Sequence, residues 1–133
     1  MKKPKKVLIV LVNRANYARS KTLMHSIKKD PGLELQVIAT SGMLLERFGQ
    51  AVKIVKEDGF TINEEIFMSI EGENPLTMTQ SVATGLMQFA PAISRLNPDV
   101  VITIGDRYET IATAIAGAYL NKIVAHVQGG EIT

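Results

Sequence analysis

Short apolar runs of strand length recur along this chain, and between them lie longer stretches in which apolar residues return at helical spacing. That alternation marks β-α-β units feeding a parallel sheet, because parallel strands need a long crossover and a helix supplies it. Val7 to Val12 is apolar without a break, as a first strand covered on both faces must be. Asn13 to Asn16 breaks that run, and Tyr17 to Lys29 carries Leu23, Met24 and Ile27 at helical spacing before Asp30-Pro31-Gly32. Leu33 to Thr40 reads as the second strand. Ser41-Gly42 turns the chain into Met43 to Glu57, a less regular helix carried by Leu44, Leu45, Phe48, Val52 and Val55, interrupted by Gly49 and closed by Asp58-Gly59.

Thr61 to Phe67 has the interspersed charges that a sheet margin tolerates, and reads as a short edge strand. The next helix has the clearest start: Asn74 as N-cap, Pro75 at the first helical position, then Met78, Val82, Phe89, Ile93 and Leu96 as one apolar stripe. It stops at Asn97-Pro98. Asp99 to Ile104 is the fourth strand, Glu109 to Leu120 an alanine-rich helix suited to lying close on a sheet, and Lys122 to Val127 the fifth strand. The expected fold is a doubly wound, Rossmann-like α/β domain with strand order 3-2-1-4-5. Residues 1–6 form a flexible basic tail ahead of one domain, 7–133. The closing Gln128-Gly129-Gly130-Glu131-Ile132-Thr133 reads as a strand-to-helix turn, so that domain is expected to be the incomplete N-terminal part of a longer polypeptide.

A chain of 133 residues can bury one real core. Its 46% hydrophobic and 21% charged residues are those of a soluble globular protein, which argues against disorder and fibrous repeats. Val7 to Val12 is too short to span a bilayer, and also shorter than a signal-peptide core, with no small-residue cleavage site after it. The net charge of +2 comes from Lys2, Lys3, Lys5 and Lys6: without them 11 basic residues face 13 acidic ones, which is −2 and no surface for nucleic acid. The absence of cysteine excludes disulfides and thiolate metal sites and suits a cytoplasmic protein. Two scattered histidines, His25 and His126, do not make a metal cluster.

With this strand order the direction of winding reverses between strands 1 and 4, and ligands bind above their carboxyl ends. Three polar loops meet that rim: Asn13-Arg14-Ala15-Asn16-Tyr17, Gly105-Asp106-Arg107-Tyr108-Glu109 and His126-Val127-Gln128-Gly129-Gly130-Glu131. Arg14 and Arg107 each lie at the start of a helix, where free N–H groups and the dipole favour an anion and a guanidinium adds bidentate phosphate pairing; the alternative is two solvated loop residues. Asp106 follows an apolar strand beside Gly105, the place for a general acid/base or a sugar-hydroxyl acceptor. Its spacing to Glu109 is also that of a capping box, and both roles can coexist. Glu131 follows a Gly-Gly pair that lets backbone approach a ligand closely, although it too could cap a helix. His126 at a strand end suits a supporting residue, and His25 inside the first helix a structural or exposed one. No Gly-rich dinucleotide fingerprint follows strand 1 and no phosphate-binding P-loop is present, which argues against NAD binding in the usual mode and against P-loop hydrolysis.

In their order and on their loops, these three segments resemble the hydrolysing UDP-N-acetylglucosamine 2-epimerases of sialic-acid and related nonulosonate synthesis, over Val7 to the last residue. The resemblance implies the first half of a GT-B-type pair of Rossmann-like domains, with substrate in the cleft between them. It implies elimination of UDP from UDP-GlcNAc across C1 and C2 and hydration of the glycal-like intermediate to N-acetylmannosamine, without a redox cofactor. It makes Asp106 and Glu131 catalytic, and Arg14, Asn16, Arg107 and Gln128 substrate-binding. Two departures stand out: some members have a catalytic glutamate at the place of Gln128, and many have a histidine in the loop where this chain has Gly42-Met43-Leu44-Leu45. A chain of this length alone is expected to have negligible turnover, and an exposed half-interface favours self-association. The alternatives are a non-hydrolysing epimerase, a glycosyltransferase domain of the same fold, and a non-catalytic nucleotide- or phosphate-binding module.

Overall fold

Successive side chains of a strand point to opposite faces, so an unbroken apolar strand must be covered on both sides. The computed structural model, which describes residues 2–132, shows that cover. In chain order the elements are β1 (Lys5–Leu11), α1 (Arg14–Lys29), β2 (Leu33–Thr40), α2 (Val52–Glu57), β3 (Glu64–Ile66), α3 (Pro75–Leu96), β4 (Val100–Ile104), α4 (Tyr108–Tyr119) and β5 (Ile123–Val127). The five strands form one sheet in the order β3-β2-β1-β4-β5, every pair parallel. The strand order expected from the sequence is the one observed.

Val7, Ile9 and Leu11 on one face of β1 pack with Tyr17, Met24 and Ile27 of α1 and with Val52 and Val55 of α2. Leu8 and Val10 on the other face meet Phe89, Ala92 and Ile93 of α3 and Ala112 and Ala116 of α4. Each large apolar side chain taken fully out of water in these layers contributes about 1.5–3 kcal/mol. Small residues set how closely α4 lies on the sheet: a Cβ added at Gly117 would sit 3.1 Å from a methyl of Val124. Among the described residues no helix is long and apolar enough to cross a membrane.

Four sequence expectations change. The basic tail is shorter than residues 1–6, because Lys5 and Lys6 already belong to β1, where the Lys6 N–H donates to Asp99 Oδ2 at 2.8 Å. α1 begins at Arg14 rather than Tyr17: Asn13 is its N-cap, and its side chain accepts from the Asn16 N–H at 2.8 Å. Met43 to Glu57 is not one helix but two 3₁₀ turns, Ser41–Met43 and Glu46–Phe48, followed by α2. Left-handed backbone at Gly49 (φ 78°) and Gln50 (φ 45°) separates them, and a continuous helix cannot pass through that conformation. Met78, placed on the buried stripe of α3, is instead 42% exposed. Met1 of the expected tail and Thr133 of the closing turn lie outside the described residues.

Candidate active site

The carboxyl ends of β1, β2, β3 and β4 open onto one cleft of about 660 Å³. Asn13, Arg14 and Ala15 line it from the β1 end, and Asp106, Arg107 and Tyr108 from the β4 end. Ser41, Gly42, Arg47 and Phe48 come from the segment after β2, and Ser69, Glu73, Thr77 and Ser81 from the passage into α3. Arg14 and Asp106, distant in sequence, thus face the same space above the switch point.

Three helices direct their amino ends toward this cleft, each leaving backbone N–H groups without helical partners. α1 has the Asn13 cap. α3 has a reciprocal cap in which Asn74 Oδ1 accepts from the Thr77 N–H at 3.0 Å and Thr77 Oγ1 from the Asn74 N–H at 3.2 Å. α4 has Arg107 in the cap position and no side-chain cap at all. An uncapped amino end beside two arginines is a place for an anion. The sharp turn from β4 into α4 requires left-handed backbone at Gly105 (φ 79°), which glycine adopts without steric cost.

Asp106 does not cap α4, so the capping-box reading of Asp106 and Glu109 fails; Asp106 is exposed on the cleft instead. Glu109 is fully buried beneath it. Both edge nitrogens of Arg107 donate to the Glu109 carboxylate, Nε at 3.1 Å and Nη2 at 3.0 Å, and Ser41 Oγ donates to Glu109 Oε1 at 2.5 Å. The paired carboxylate holds the Arg107 guanidinium above its already high ordinary pKa, so it carries its charge throughout the useful pH range. Arg14 has no acidic partner within ion-pair distance among the described residues. Arg47 pairs with Glu71 at 2.7 Å and Glu73 at 3.5 Å across the cleft rim.

Other residues singled out from sequence stand away from the cleft lining. Asn16 is buried and donates from Nδ2 to the Ile104 carbonyl at 3.0 Å, tying the first turn of α1 to the end of β4. Gln128 accepts from Arg19 Nη1 at 2.8 Å, which anchors it to α1. Glu131 lies on an exposed segment outside the cleft lining. His126 Nδ1 shares a hydrogen bond with Thr103 Oγ1 at 2.8 Å on the neighbouring strand. His25 packs on Phe60 with ring centroids 4.7 Å apart. Conversely, Ser41, Ser69, Thr77 and Ser81 line the cleft although no sequence motif marks them as site residues. The strand order itself carried that signal, because loops after β2 and β3 share the rim used by β1 and β4.

Fold and cleft together define the class: a doubly wound α/β domain with an open cleft at its topological switch point. The family model of UDP-N-acetylglucosamine 2-epimerase matches residues 25–133. The chain belongs to that family. A GDP/UDP-N,N'-diacetylbacillosamine 2-epimerase (hydrolyzing) of Campylobacter jejuni is 31% identical over 129 residues, 97% of this chain and 33% of the relative. A crystal structure of a UDP-N-acetylglucosamine 2-epimerase superposes with a TM-score of 0.84 at 21% identity, over 98% of this chain and 35% of that one. The UDP-GlcNAc 2-epimerase from Neisseria meningitidis, solved bound to UDP-GlcNAc, gives 0.77 at 18% identity, over 94% and 32% of the two chains. This chain therefore spans about a third of the length of the relatives it matches.

Proposed function

We propose that this chain is the N-terminal domain of a hydrolysing UDP-GlcNAc 2-epimerase, the first half of a GT-B-type pair, and that its cleft holds the diphosphate and sugar of the substrate. The observation that carries the reading is the meeting of Arg14, Arg107 and the uncapped amino end of α4 on one cleft with a free carboxylate, Asp106. A doubly charged diphosphate suits the cations, and a carboxylate beside them suits proton exchange at an adjacent sugar carbon. On this reading a proton leaves C2 as the C1–O bond to UDP breaks, giving a C1=C2 double bond and free UDP. Water then adds its oxygen to C1, and a proton returns to C2 on the other face, giving N-acetylmannosamine. Asp106 is the acid/base this domain brings to C2; Glu131, which the resemblance makes catalytic, lies outside the lining of this cleft. The Arg19-anchored Gln128 has no carboxylate to offer as a base.

A second substrate, a 2,4-diacetamido UDP-sugar, is supported by the name of the Campylobacter relative. The test is to give the full-length protein carrying this sequence UDP-GlcNAc or UDP-N,N'-diacetylbacillosamine, and follow products by NMR. Free UDP with the 2-epimerised free sugar is expected from one of them. Accumulation of a UDP-linked epimer would identify the non-hydrolysing branch, and persistence of both substrates would refute the assignment. Asp106→Asn should lower turnover by about a thousandfold or more, the upper range of acid/base catalysis, with the fold retained.

A further inference from the structure

Glu109 is the only acidic or basic side chain buried among the described residues, and it is completely enclosed. A carboxylate taken out of water costs several kcal/mol unless it is paired and hydrogen-bonded. Here Arg107 supplies two hydrogen bonds and Ser41 a third. The pair is lopsided: the carboxylate lies under the floor of the cleft, whereas the Arg107 side chain is 46% exposed and lines it. Stability does not ask for this arrangement, because a well-packed apolar group often serves a core as well as a buried ion pair does.

The geometry does restrict Arg107. One edge of its guanidinium is committed to Glu109, and the Tyr108 ring lies 5.3 Å from its Cζ. Nη1 has no protein acceptor among the described residues and remains for a ligand in the cleft. Ser41 is held in left-handed backbone (φ 53°), and its Oγ reaches both Glu109 and, at 2.9 Å, Ser69 Oγ. One buried carboxylate thereby ties together the segments that follow β2, β3 and β4.

Resting on the function proposed above, we infer that Glu109 is a positioning residue: it acts through Arg107, fixing the guanidinium with its free edge toward a phosphate of the bound nucleotide sugar. A fixed fork binds a phosphate without first ordering a flexible side chain, so the benefit falls on substrate binding. Ser41 supports the same carboxylate from the opposite side.

The experiment is a double-mutant cycle in the full-length protein with Glu109→Gln, Arg107→Ala and both together, following KM and kcat for the UDP-sugar it consumes. Glutamine keeps the shape and the contact with Ser41 but loses the charge and one arm of the fork. Glu109→Gln should raise KM about tenfold or more, the loss of a charge-assisted hydrogen bond, with a smaller change in kcat. In the Arg107→Ala background it should add almost nothing. Losses that multiply in the double variant would overturn the inference. If Glu109→Gln does not fold, Ser41→Ala takes its place, with a KM rise of a few-fold that must likewise vanish without Arg107; a rise that persists overturns the inference too. If the protein consumes no UDP-sugar, the function proposed above fails separately, and 15N NMR of the Arg107 Nε–H still decides. That signal should be protected from exchange in the wild type and lost in Glu109→Gln, and an unaltered signal would refute the positioning role.

Discussion

Asn13 sits where structure and proposed function can be pulled apart, because it caps α1 and also lines the cleft. Asn13→Ala removes the acceptor of the Asn16 N–H bond, which is 2.8 Å long. Loss of such a cap costs about 1 kcal/mol, within a range of roughly 0.5–2. At roughly 2.1 cal/mol/K per residue, 133 residues give an unfolding entropy of about 0.28 kcal/mol/K, so Tm should fall by about 4 °C. Asn13→Asp keeps the acceptor and adds a negative charge to a helix amino end, which is favourable by about 0.3–1 kcal/mol. Its Tm should equal or slightly exceed that of the wild type. The same charge would face the proposed diphosphate, and UDP affinity in the full-length protein should drop roughly tenfold or more. Calorimetry on the 133-residue chain and UDP titration of the full-length protein measure the two effects. An alanine variant within about 1 °C of the wild type would refute the capping argument. An aspartate variant that binds UDP as tightly as the wild type would refute the anion cleft.

Three further outcomes are expected. Arg14→Ala should weaken UDP binding about tenfold or more with Tm unchanged, and an unchanged affinity in the titration would remove Arg14 from the site. Gly117→Leu would drive a side chain into Val124 and Val101 and should cost about 1–3 kcal/mol in urea denaturation. Stability should also respond to acid through Asp58. Its carboxyl is held below the usual carboxylate range by hydrogen bonds from Lys21 first and Tyr17 second. Because the folded pKa is depressed, this contribution is complete above about pH 4 and is lost as pH falls through the folded value. Asp58→Asn should therefore flatten the acid limb of a Tm-against-pH curve, and an unchanged limb would remove Asp58 from the account.

The sheet was legible because its signal is local and redundant. β1 and β4 are apolar runs bounded by turns, β2 alternates and then ends in Val37-Ile38-Ala39, and Asn74-Pro75 marks the start of α3 unambiguously. Met43 to Glu57 misled because Met43, Leu44, Val52 and Val55 do enter the core, but as parts of separate turns whose break is set by backbone dihedrals, not by hydrophobic spacing. Arg14, Asp106 and Arg107, singled out because they directly follow central strands, line one cleft. Glu109 was read as half of a cap, since spacing along a chain cannot show that Ser41, a distant residue, donates to it across the fold. Asn16, a polar residue of the same rim, is buried and donates from Nδ2 to the Ile104 carbonyl, a long-range contact that spacing along the chain does not show either.

The partners of the three cleft arginines rank the parts they would play in holding the proposed diphosphate. Arg47 shares its charge with Glu71 and Glu73, both exposed, in a contact of the kind that contributes at most about 1 kcal/mol. It can give up those partners cheaply but brings little uncompensated field. Arg107 is paired with a buried carboxylate that cannot leave, so what it offers is direction more than charge. Arg14 has no acidic partner among the described residues and stands at the amino end of α1, whose dipole has the same sign. Loss of Arg14 should therefore act on affinity and become milder as salt rises, because an exposed charge is screened. Loss of Arg107 or its buried partner should act on the geometry in which the phosphate is held, and should persist in high salt.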